Sequence, residues 1–280
     1  MLMSPQDKAA PSYKDLQAKW RADYQERLLR PQGWFSVAGL FWLNEGDNAM
    51  GSAPGSPVLL PSYASPAVAG TLTLTGRKVT LKPAPGVDLK VNDQPATEMV
   101  LSSDASNHTD KLSLGGVTFK VIERTDKIGI RLYDPQCEGR TKFKSLHWYK
   151  IDPKMVVKAQ FVPYDPPRKV NIANVLGQQT PTDLPGYLVF TIDGKECRLD
   201  AQDSGDTLFL DFQDATSGKE TYGAGRFLDT EKPKDGVVMI DFNQATNPPC
   251  AYTAFATCPL PPAGNRLSVA IKAGEKGYHH

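Results

Sequence analysis

A helical pattern of apolar and polar positions opens the chain. Between residues 12 and 31, apolar and aromatic side chains recur at spacings of three and four, and charged side chains occupy positions between them. The recurring positions are Tyr13, Leu16, Trp20, Tyr24 and Leu28. Ser12 is suited to cap the helix because Asp15 follows three residues later, and Pro31 ends the pattern. The sequence therefore predicts one N-terminal amphipathic helix over residues 12–31, packed on the body of the protein.

From residue 33 onward the pattern changes to period two, which is typical of β-strands. Short alternating segments such as TLTLTG and KVTLKP are separated by turn residues, and Gly115-Gly116 and Asp193-Gly194 read as two-residue hairpin turns. No helical pattern alternates with the strands, which disfavours a parallel α/β sheet. We therefore predict a mainly β chain, with an antiparallel β-sandwich over residues 33–125. A second antiparallel β-sandwich or barrel follows over 126–280, and RLSVAIKAGEK at 266–276 forms its last strand.

Four short motifs in the first half follow one another in the order of a known sandwich. They are MGS at 50–52, LLP at 59–61, VND at 91–93 and LSLGG at 112–116. In this order they resemble forkhead-associated domains, whose loops read phosphothreonine, and the resemblance implies a sandwich over roughly residues 48–124. The phosphate-binding arginine of that family is Ser52 here, and its serine and histidine pair has no counterpart at 62–70. The resemblance favours the fold and disfavours phosphopeptide binding.

A second resemblance rests on motifs in the second half. They are TYGAGRFL at 221–228, DFN at 241–243, NPPCAY at 247–252, TCPLPP at 257–262, NRL at 265–267 and AGE at 273–275. In this order they resemble the microbial family called domain of unknown function 1684. GWFSVAGLFWLNEG at 33–46 and KIGIRLYD at 127–134 also fit this family. The resemblance covers most of the chain and implies no particular activity.

Composition and charge exclude several classes of partner. The 280 residues carry a formal net charge of +1, from 32 basic and 31 acidic residues that form no runs of one sign, so we expect no nucleic-acid partner. No apolar run approaches the ~20 residues that a membrane-spanning helix needs. The N-terminal residues lack the apolar core of a signal peptide, so we expect a cytoplasmic protein, although export of a longer parent chain stays open. The sequence does not indicate an oligomeric state.

The cysteines and acidic residues predict neither a metal site nor a cofactor. Four cysteines are too few for a disulfide scaffold. Cys250 and Cys258 are separated by seven residues, which does not match the close paired spacing of zinc ligands. They are either a disulfide that closes the loop or two reduced thiols. The acidic residues fit no calcium-loop spacing.

The candidate site lies where a strand runs into a proline-rich loop, at residues 240–262. Asp241 and Asn243 are two residues apart at the strand exit, so their side chains face the same side. Arg226, in TYGAGRFL, would hold an anionic group on a ligand. Its alternative role is a structural bridge to Asp241, with asparagines that serve only the turns. Asn243 and Asn247 would orient the ligand, Asn265 is a further ligand-binding candidate, and Tyr222 and Tyr252 would form walls of the site.

Three classes of function fit these residues. The leading hypothesis is a soluble β protein that binds a small polar or anionic ligand in its C-terminal domain. The first alternative is a metal-independent hydrolase or isomerase, in which Asp241 is the general base and Tyr222 or Arg226 stabilises developing negative charge. The second alternative is a structural or interaction protein with a proline-rich docking loop. The sequence does not decide whether the protein is an enzyme.

Overall fold

The N-terminal helix forms as predicted, but with a different packing face. The structure is a computed structural model that describes residues 10–278. Helix α1 spans Tyr13–Leu29, and Ser12 caps it in a capping box with Asp15. The predicted stripe is wrong at Leu16, which is 50% exposed, whereas Gln17 is buried. Gln17 is buried because its side chain donates a hydrogen bond to a carboxylate of the C-terminal domain rather than filling an apolar core.

Seventeen strands occur in the part of the chain from residue 10 to residue 278. Strands β1 to β11 are Val37–Trp42, Gly46–Gly51, Val58–Leu59, Gly70–Thr75, Lys78–Pro83, Lys90–Val91, Gln94–Pro95, Met99–Leu101, Leu112–Leu114, Val117–Arg124 and Lys127–Tyr133. Strands β12 to β17 are Val156–Ala173, Gln179–Ile192, Lys195–Ser204, Thr207–Phe212, Arg226–Glu231 and Val237–Asp241. A short helix α2 spans Glu138–Thr141. The chain is therefore mainly β, as its alternating pattern predicted.

The N-terminal half is a β-sandwich of two sheets. One sheet has the order β1-β11-β10-β9-β6-β7 and the other has the order β3-β2-β4-β5-β8. The alternating apolar residues of both sheets form one core, in which Met50, Leu72 and Leu81 are fully buried. The predicted Gly115-Gly116 turn joins β9 to β10. The sandwich extends beyond its predicted end at residue 125, because β11 pairs with both β1 and β10.

The C-terminal half is one six-stranded antiparallel sheet that curls into a nearly closed barrel. Its order is β16-β15-β14-β13-β12-β17. The two edge strands approach each other, and the Thr230 hydroxyl in β16 donates to the Met239 carbonyl oxygen in β17 at 2.9 Å. Asp193 and Gly194 form the predicted hairpin turn, and both have positive φ angles. The barrel thus confirms one of the two architectures that the sequence predicted for this half.

The predicted last strand, 266–276, is instead an irregular segment. Leu267, Val269 and Ile271 do alternate into the barrel core, as a strand would place them. The backbone of this segment forms no ladder with the six strands. It bonds instead to the backbone of loops, as the Leu267 N–H does to the Gln213 carbonyl oxygen, and to side chains: Arg226 donates to the Ile271 carbonyl oxygen, and Asp214 accepts from the Ile271 N–H. The alternation predicted the buried face correctly and the hydrogen bonding wrongly.

Helix α1 packs on the barrel although it is far from the barrel in sequence. Leu28 and Tyr24 lie in an aromatic cluster with Phe35, Leu146 and Tyr252. Within residues 10–278, no helix has the length and apolar character needed to cross a membrane. The first element of the chain and the last loops therefore share one small core.

Candidate functional site

The predicted pair Asp241 and Asn243 lies at the end of β17, beneath helix α1. The Asp241 carboxylate accepts the Tyr13 hydroxyl at 2.9 Å from each oxygen and the Gln17 amide at 2.8 Å. The backbone N–H of Asn243 donates to the same carboxylate at 3.0 Å. Burial, together with this carboxylate, raises the pKa of Tyr13 well above its usual value. The two predicted residues do face one space, and the helix fills that space.

Asn243 completes the same network. Its side-chain amide donates to the Asp152 carbonyl oxygen at 2.8 Å, and its side-chain oxygen accepts the Asp152 N–H at 2.9 Å. The side chain is fully buried. Asn243 therefore joins β17 to the segment before β12.

Arg226 is the largest fully buried side chain, with 1% relative exposure. Its Nη2 donates to the Asp214 carboxylate at 2.6 Å and to the Ile271 carbonyl oxygen at 2.9 Å, and its Nη1 donates to the Ala273 carbonyl oxygen. The proposed bridge to Asp241 is therefore wrong, because Asp214 is the partner. The guanidinium links β16 to the irregular segment 266–276.

The backbone before Arg226 explains how its side chain enters the core. Gly225 has a φ of +105°, and a Cβ there would lie 2.6 Å from the Phe212 carbonyl oxygen. Only glycine permits this conformation and this close approach. Gly225 of TYGAGRFL thus allows the backbone turn after which the Arg226 side chain enters the barrel core.

The predicted amides Asn247 and Asn265 also bind the protein backbone. Asn265 inserts between β14 and β15: its side-chain oxygen accepts the Asp200 N–H at 2.7 Å, and its amide donates to the Asp200 and Asp211 carbonyl oxygens at 2.9 and 2.8 Å. Asn247 donates through its side chain to the Lys276 carbonyl oxygen at 2.8 Å. Both side chains are at most 2% exposed. Each one holds irregular chain against the barrel.

Tyr252 belongs to a buried hydrogen-bond network of two tyrosine hydroxyls and one carboxyl group. Its hydroxyl lies 2.8 and 2.7 Å from the two Glu275 oxygens and 3.1 Å from the Tyr24 hydroxyl. The Asn247 N–H donates to Glu275 at 2.9 Å. Burial raises the pKa of the Glu275 carboxyl to about 7. Tyr252 therefore contacts a carboxyl group that changes charge near neutral pH.

Tyr222 lies away from Asp241, beside the two cysteines of the proline-rich loop. Its hydroxyl donates to the Cys250 carbonyl oxygen at 3.2 Å, and burial raises its pKa to about 12. Cys250 and Cys258 are free thiols in contact with each other, which answers the question that their spacing left open. No cluster of three or more His, Cys, Asp or Glu side chains suited to a metal ion occurs within residues 10–278.

A cavity of about 180 Å³ lies beside this region, between helix α1, β16 and the segment after β17. Trp20 and Tyr24 stack on one wall with ring centroids 5.5 Å apart. Arg27, Asp229 and Gln244 place polar side chains along its lining. No described residue forms a hydrogen bond or ion pair with these three side chains. The cavity thus offers one cation, one carboxylate and one amide that have no hydrogen-bond or ion-pair partner in the protein, although the Arg27 guanidinium lies 5.7 Å from the centre of the Tyr24 ring.

The sequence reasoning did not select these cavity residues. Trp20 and Tyr24 read as packing residues, and Arg27 as an ordinary helix charge. A signal was present for the other two, because Asp229 directly follows TYGAGRFL and Gln244 directly follows DFN. Phe227 and Leu228 of TYGAGRFL line the cavity, together with Asp229 and Gln244 just beyond the two motifs.

Fold and site together define a mainly β protein whose N-terminal sandwich precedes a barrel with a small polar cavity at its helix-covered side. Residues 141–276 match the family described as "Protein of unknown function (DUF1684)", and through this C-terminal half the chain belongs to that family, as its motifs predicted. No curated protein matches the chain.

Solved structures give further matches. The solution NMR structure of an uncharacterized protein of Haloarcula marismortui is 31% identical over 49% of this chain and 78% of that chain, with a TM-score of 0.42. The FhaA FHA domain, complexed with an intracellular domain of another protein, is 18% identical over 33% of this chain and 96% of that chain, with a TM-score of 0.25. A structure from a study of phosphothreonine-dependent FHA domain interactions is 18% identical over 34% and 92%, again with a TM-score of 0.25. These FHA matches agree with the resemblance seen in the sequence and carry no functional conclusion.

Proposed function

We propose that this protein binds a small polar ligand that carries both an anionic and a cationic group, in the cavity between helix α1 and the barrel. The observation that carries this proposal is a set of three polar side chains that have no hydrogen-bond or ion-pair partner in the protein: Arg27, Asp229 and Gln244. Arg27 and Asp229 line the same cavity without forming an ion pair with each other. An opposite charge on each end of a ligand would satisfy both.

The dimensions of the cavity support a ligand of low molecular mass. Its volume of about 180 Å³ corresponds to roughly six water molecules in the liquid. The guanidinium of Arg27 presents a planar fork that suits a carboxylate. Asp229 and the Gln244 amide oxygen accept hydrogen bonds, as an ammonium group requires. The stacked rings of Trp20 and Tyr24 supply the apolar wall that is usual in small-molecule sites.

The general location agrees with the site inferred from sequence, and the assigned residues change. Arg226 has its charge and donors engaged by Asp214 and two carbonyl oxygens, so Arg27 takes the role of anion-binding arginine. Gln244 takes the orienting role first given to Asn243, whose amide is engaged by Asp152. The ligand-binding hypothesis is therefore retained with different side chains.

The enzymatic alternative has less support. Asp241, its proposed general base, is surrounded by donors from Tyr13, Gln17 and Asn243, which leaves no oxygen directed at a substrate. The docking alternative would use Phe255, an exposed aromatic residue of the proline-rich loop that borders an apolar groove. Neither Asp241 nor the surface around Phe255 offers a set of polar side chains without hydrogen-bond partners, as the cavity does.

Binding can be tested with simple charged molecules. Isothermal titration calorimetry would compare glycine, β-alanine and γ-aminobutyrate, which carry both charges at different separations, with acetate and ethylamine, which carry one. We expect at least one of the doubly charged compounds to bind more tightly than both singly charged ones. Arg27→Gln and Asp229→Asn should each weaken that binding about tenfold or more, since each removes a charged hydrogen bond.

Arg30→Gln supplies the matched control. Arg30 is the capping residue at the C-terminal end of the same helix, is exposed and pairs with Glu26 outside the cavity. Its substitution should leave binding unchanged. The proposal is wrong if none of the five compounds binds at millimolar concentration, or if Arg27→Gln and Arg30→Gln bind alike.

A further inference from the structure

Cys250 and Cys258 form a contact pair where the proline-rich loop meets the N-terminal sandwich. The Cys250 backbone N–H donates to the Cys258 sulfur at 3.2 Å. Both thiols are free, and Cys250 is partly exposed whereas Cys258 is buried. Pro248 and Pro249 precede the first of these cysteines and restrict the backbone around it. The two sulfurs are thus held close to each other.

A buried arginine without a carboxylate partner lies beside this pair. Arg131, from β11, is 3% exposed, and its Nε has no hydrogen-bond partner. Its Nη2 lies 3.5 Å from the Thr257 hydroxyl oxygen, and its Cζ lies 5.0 Å from the centre of the Trp34 ring. No carboxylate within the described residues 10–278 forms an ion pair with it. Arg124 on the neighbouring strand shows the usual solution, an ion pair with Asp104 at 2.8 Å.

The charge of Arg131 needs a compensating anion, because an unpaired buried cation is costly. Its positive charge acts on the Cys258 sulfur next to Thr257. The hydrogen bond from Cys258 lowers the pKa of the Cys250 thiol to about 7. Burial instead raises the pKa of Cys137 and of Cys197. Near neutral pH the contact pair can therefore share one negative charge, and the other two cysteines stay protonated.

We propose that Cys250 and Cys258 are a thiol–disulfide exchange site for small disulfides, with Arg131 as counter-ion of the Cys258 sulfur. The Cys250 thiolate attacks one sulfur of a disulfide RSSR, so that a Cys250–SR bond forms and RS⁻ leaves and takes up a proton. The Cys258 sulfur, on losing its proton to solvent, then attacks the Cys250 sulfur and releases the second RS⁻, which is protonated in turn. The sum is protein dithiol plus RSSR giving protein disulfide plus two RSH.

The test uses the full chain and hydroxyethyl disulfide as the probe. Intact mass spectrometry under native conditions should show the loss of two hydrogens, and peptide mapping should place the new bond between Cys250 and Cys258. Cys258→Ser should stop at the mixed disulfide on Cys250, because the second sulfur is missing. Cys137→Ser is the matched control and should behave as the wild type does. Failure of the native protein to form the internal disulfide would overturn the proposal, as would its formation only after unfolding.

Two rates test the reactive thiol and the arginine separately. Iodoacetamide should modify Cys250 in the native protein faster than Cys137 and Cys197 at pH 7. Arg131→Met should slow the conversion of the mixed disulfide on Cys250 into the internal disulfide about tenfold for each unit by which the pKa of Cys258 rises, whereas Arg124→Met should not. If Arg131→Met does not fold, the pH dependence of alkylation in the wild type decides: a midpoint near 7 at Cys250 supports the site, and one at or above the ordinary cysteine value overturns it.

Discussion

Replacing Glu275 by Gln should remove a large part of the pH dependence of folding stability. Glu275 is fully buried, and burial raises its pKa from 4.5 to about 7. A carboxyl group with a raised pKa in the folded state favours folding below its unfolded pKa, and this contribution is lost as pH rises through the folded pKa. A shift of about 2.5 units corresponds to ~3 kcal/mol. The wild type should therefore lose this amount between about pH 4.5 and pH 7.5, and Glu275→Gln should not.

The measurement is urea unfolding of both proteins at a series of pH values, followed by tryptophan fluorescence. Taking the difference between the two proteins cancels the titration of every group that they share, including Asp211. At pH 5 the two should differ by less than about 1 kcal/mol, because the uncharged amide resembles the protonated carboxyl and can still accept from Tyr252 or Asn247. By pH 8 the variant should have gained ~3 kcal/mol relative to the wild type.

Asp211 offers a matched second case. Its Oδ2 has no partner, its Oδ1 accepts from Gln202 at 3.1 Å, and burial raises its pKa to about 7. Asp211→Asn should flatten the same pH range by a similar amount. Parallel stability profiles for the wild type and Glu275→Gln would refute the reasoning, since they would mean that Glu275 is not protonated in the folded protein at neutral pH.

Three further predictions concern internal contacts, and urea unfolding checks each of them. Arg226→Met should cost about 3–5 kcal/mol because it leaves the Asp214 carboxylate buried without its cation; Arg226→Met combined with Asp214→Leu should cost less than the sum of the single changes, and strict additivity would contradict the coupling. Asn265→Ala should cost ~3 kcal/mol, since three backbone groups lose their partner; a cost below about 1 kcal/mol would show that water replaces the amide. Oxidation of Cys250 and Cys258 should stabilise the protein by ~2.5 kcal/mol through closure of a short loop, and a loss of stability would indicate a strained bond.

Features that depend on neighbouring residues in the chain could be predicted from the sequence. The Ser12 and Asp15 capping box, and the turns at Gly115-Gly116 and Asp193-Gly194, each follow from the local conformational preference of a few side chains. The alternating pattern likewise predicted a mainly β chain. These signals depend on a few adjacent residues, so they can be read without knowing which elements pack against them in the fold.

Features that depend on distant partners could not be predicted. Periodicity placed Leu16 inside and Gln17 outside, and the structure reverses them because the partner of Gln17 is Asp241 at the other end of the chain. The irregular last segment is a similar case, because its backbone bonds to the side chains of Arg226 and Asp214 and to the backbone of distant loops rather than to a neighbouring strand. Residue type alone does not reveal such a partner.

The candidate site shows the same division. The sequence predicted a site between TYGAGRFL and DFN, but it could not distinguish a polar side chain that is hydrogen-bonded within the protein from one that is not. Arg226 and Arg27 are both arginines near that space: the first is buried against Asp214, and the second has no ion-pair partner among the described residues. Only the arrangement of the surrounding backbone separates these two roles.

The packing of helix α1 on the barrel also constrains how the chain reaches its folded state. Tyr13 and Asp241 are separated by 228 positions in sequence, so helix α1 meets its partner only after the residues up to Asp241 have been synthesised. A short helix is marginal in isolation, and contacts this distant slow folding because a very long loop must close first. The N-terminal sandwich can form its core before that moment, whereas helix α1 must wait for the barrel that follows it in the chain. We therefore expect the last kinetic step of folding to be the docking of residues 13–29.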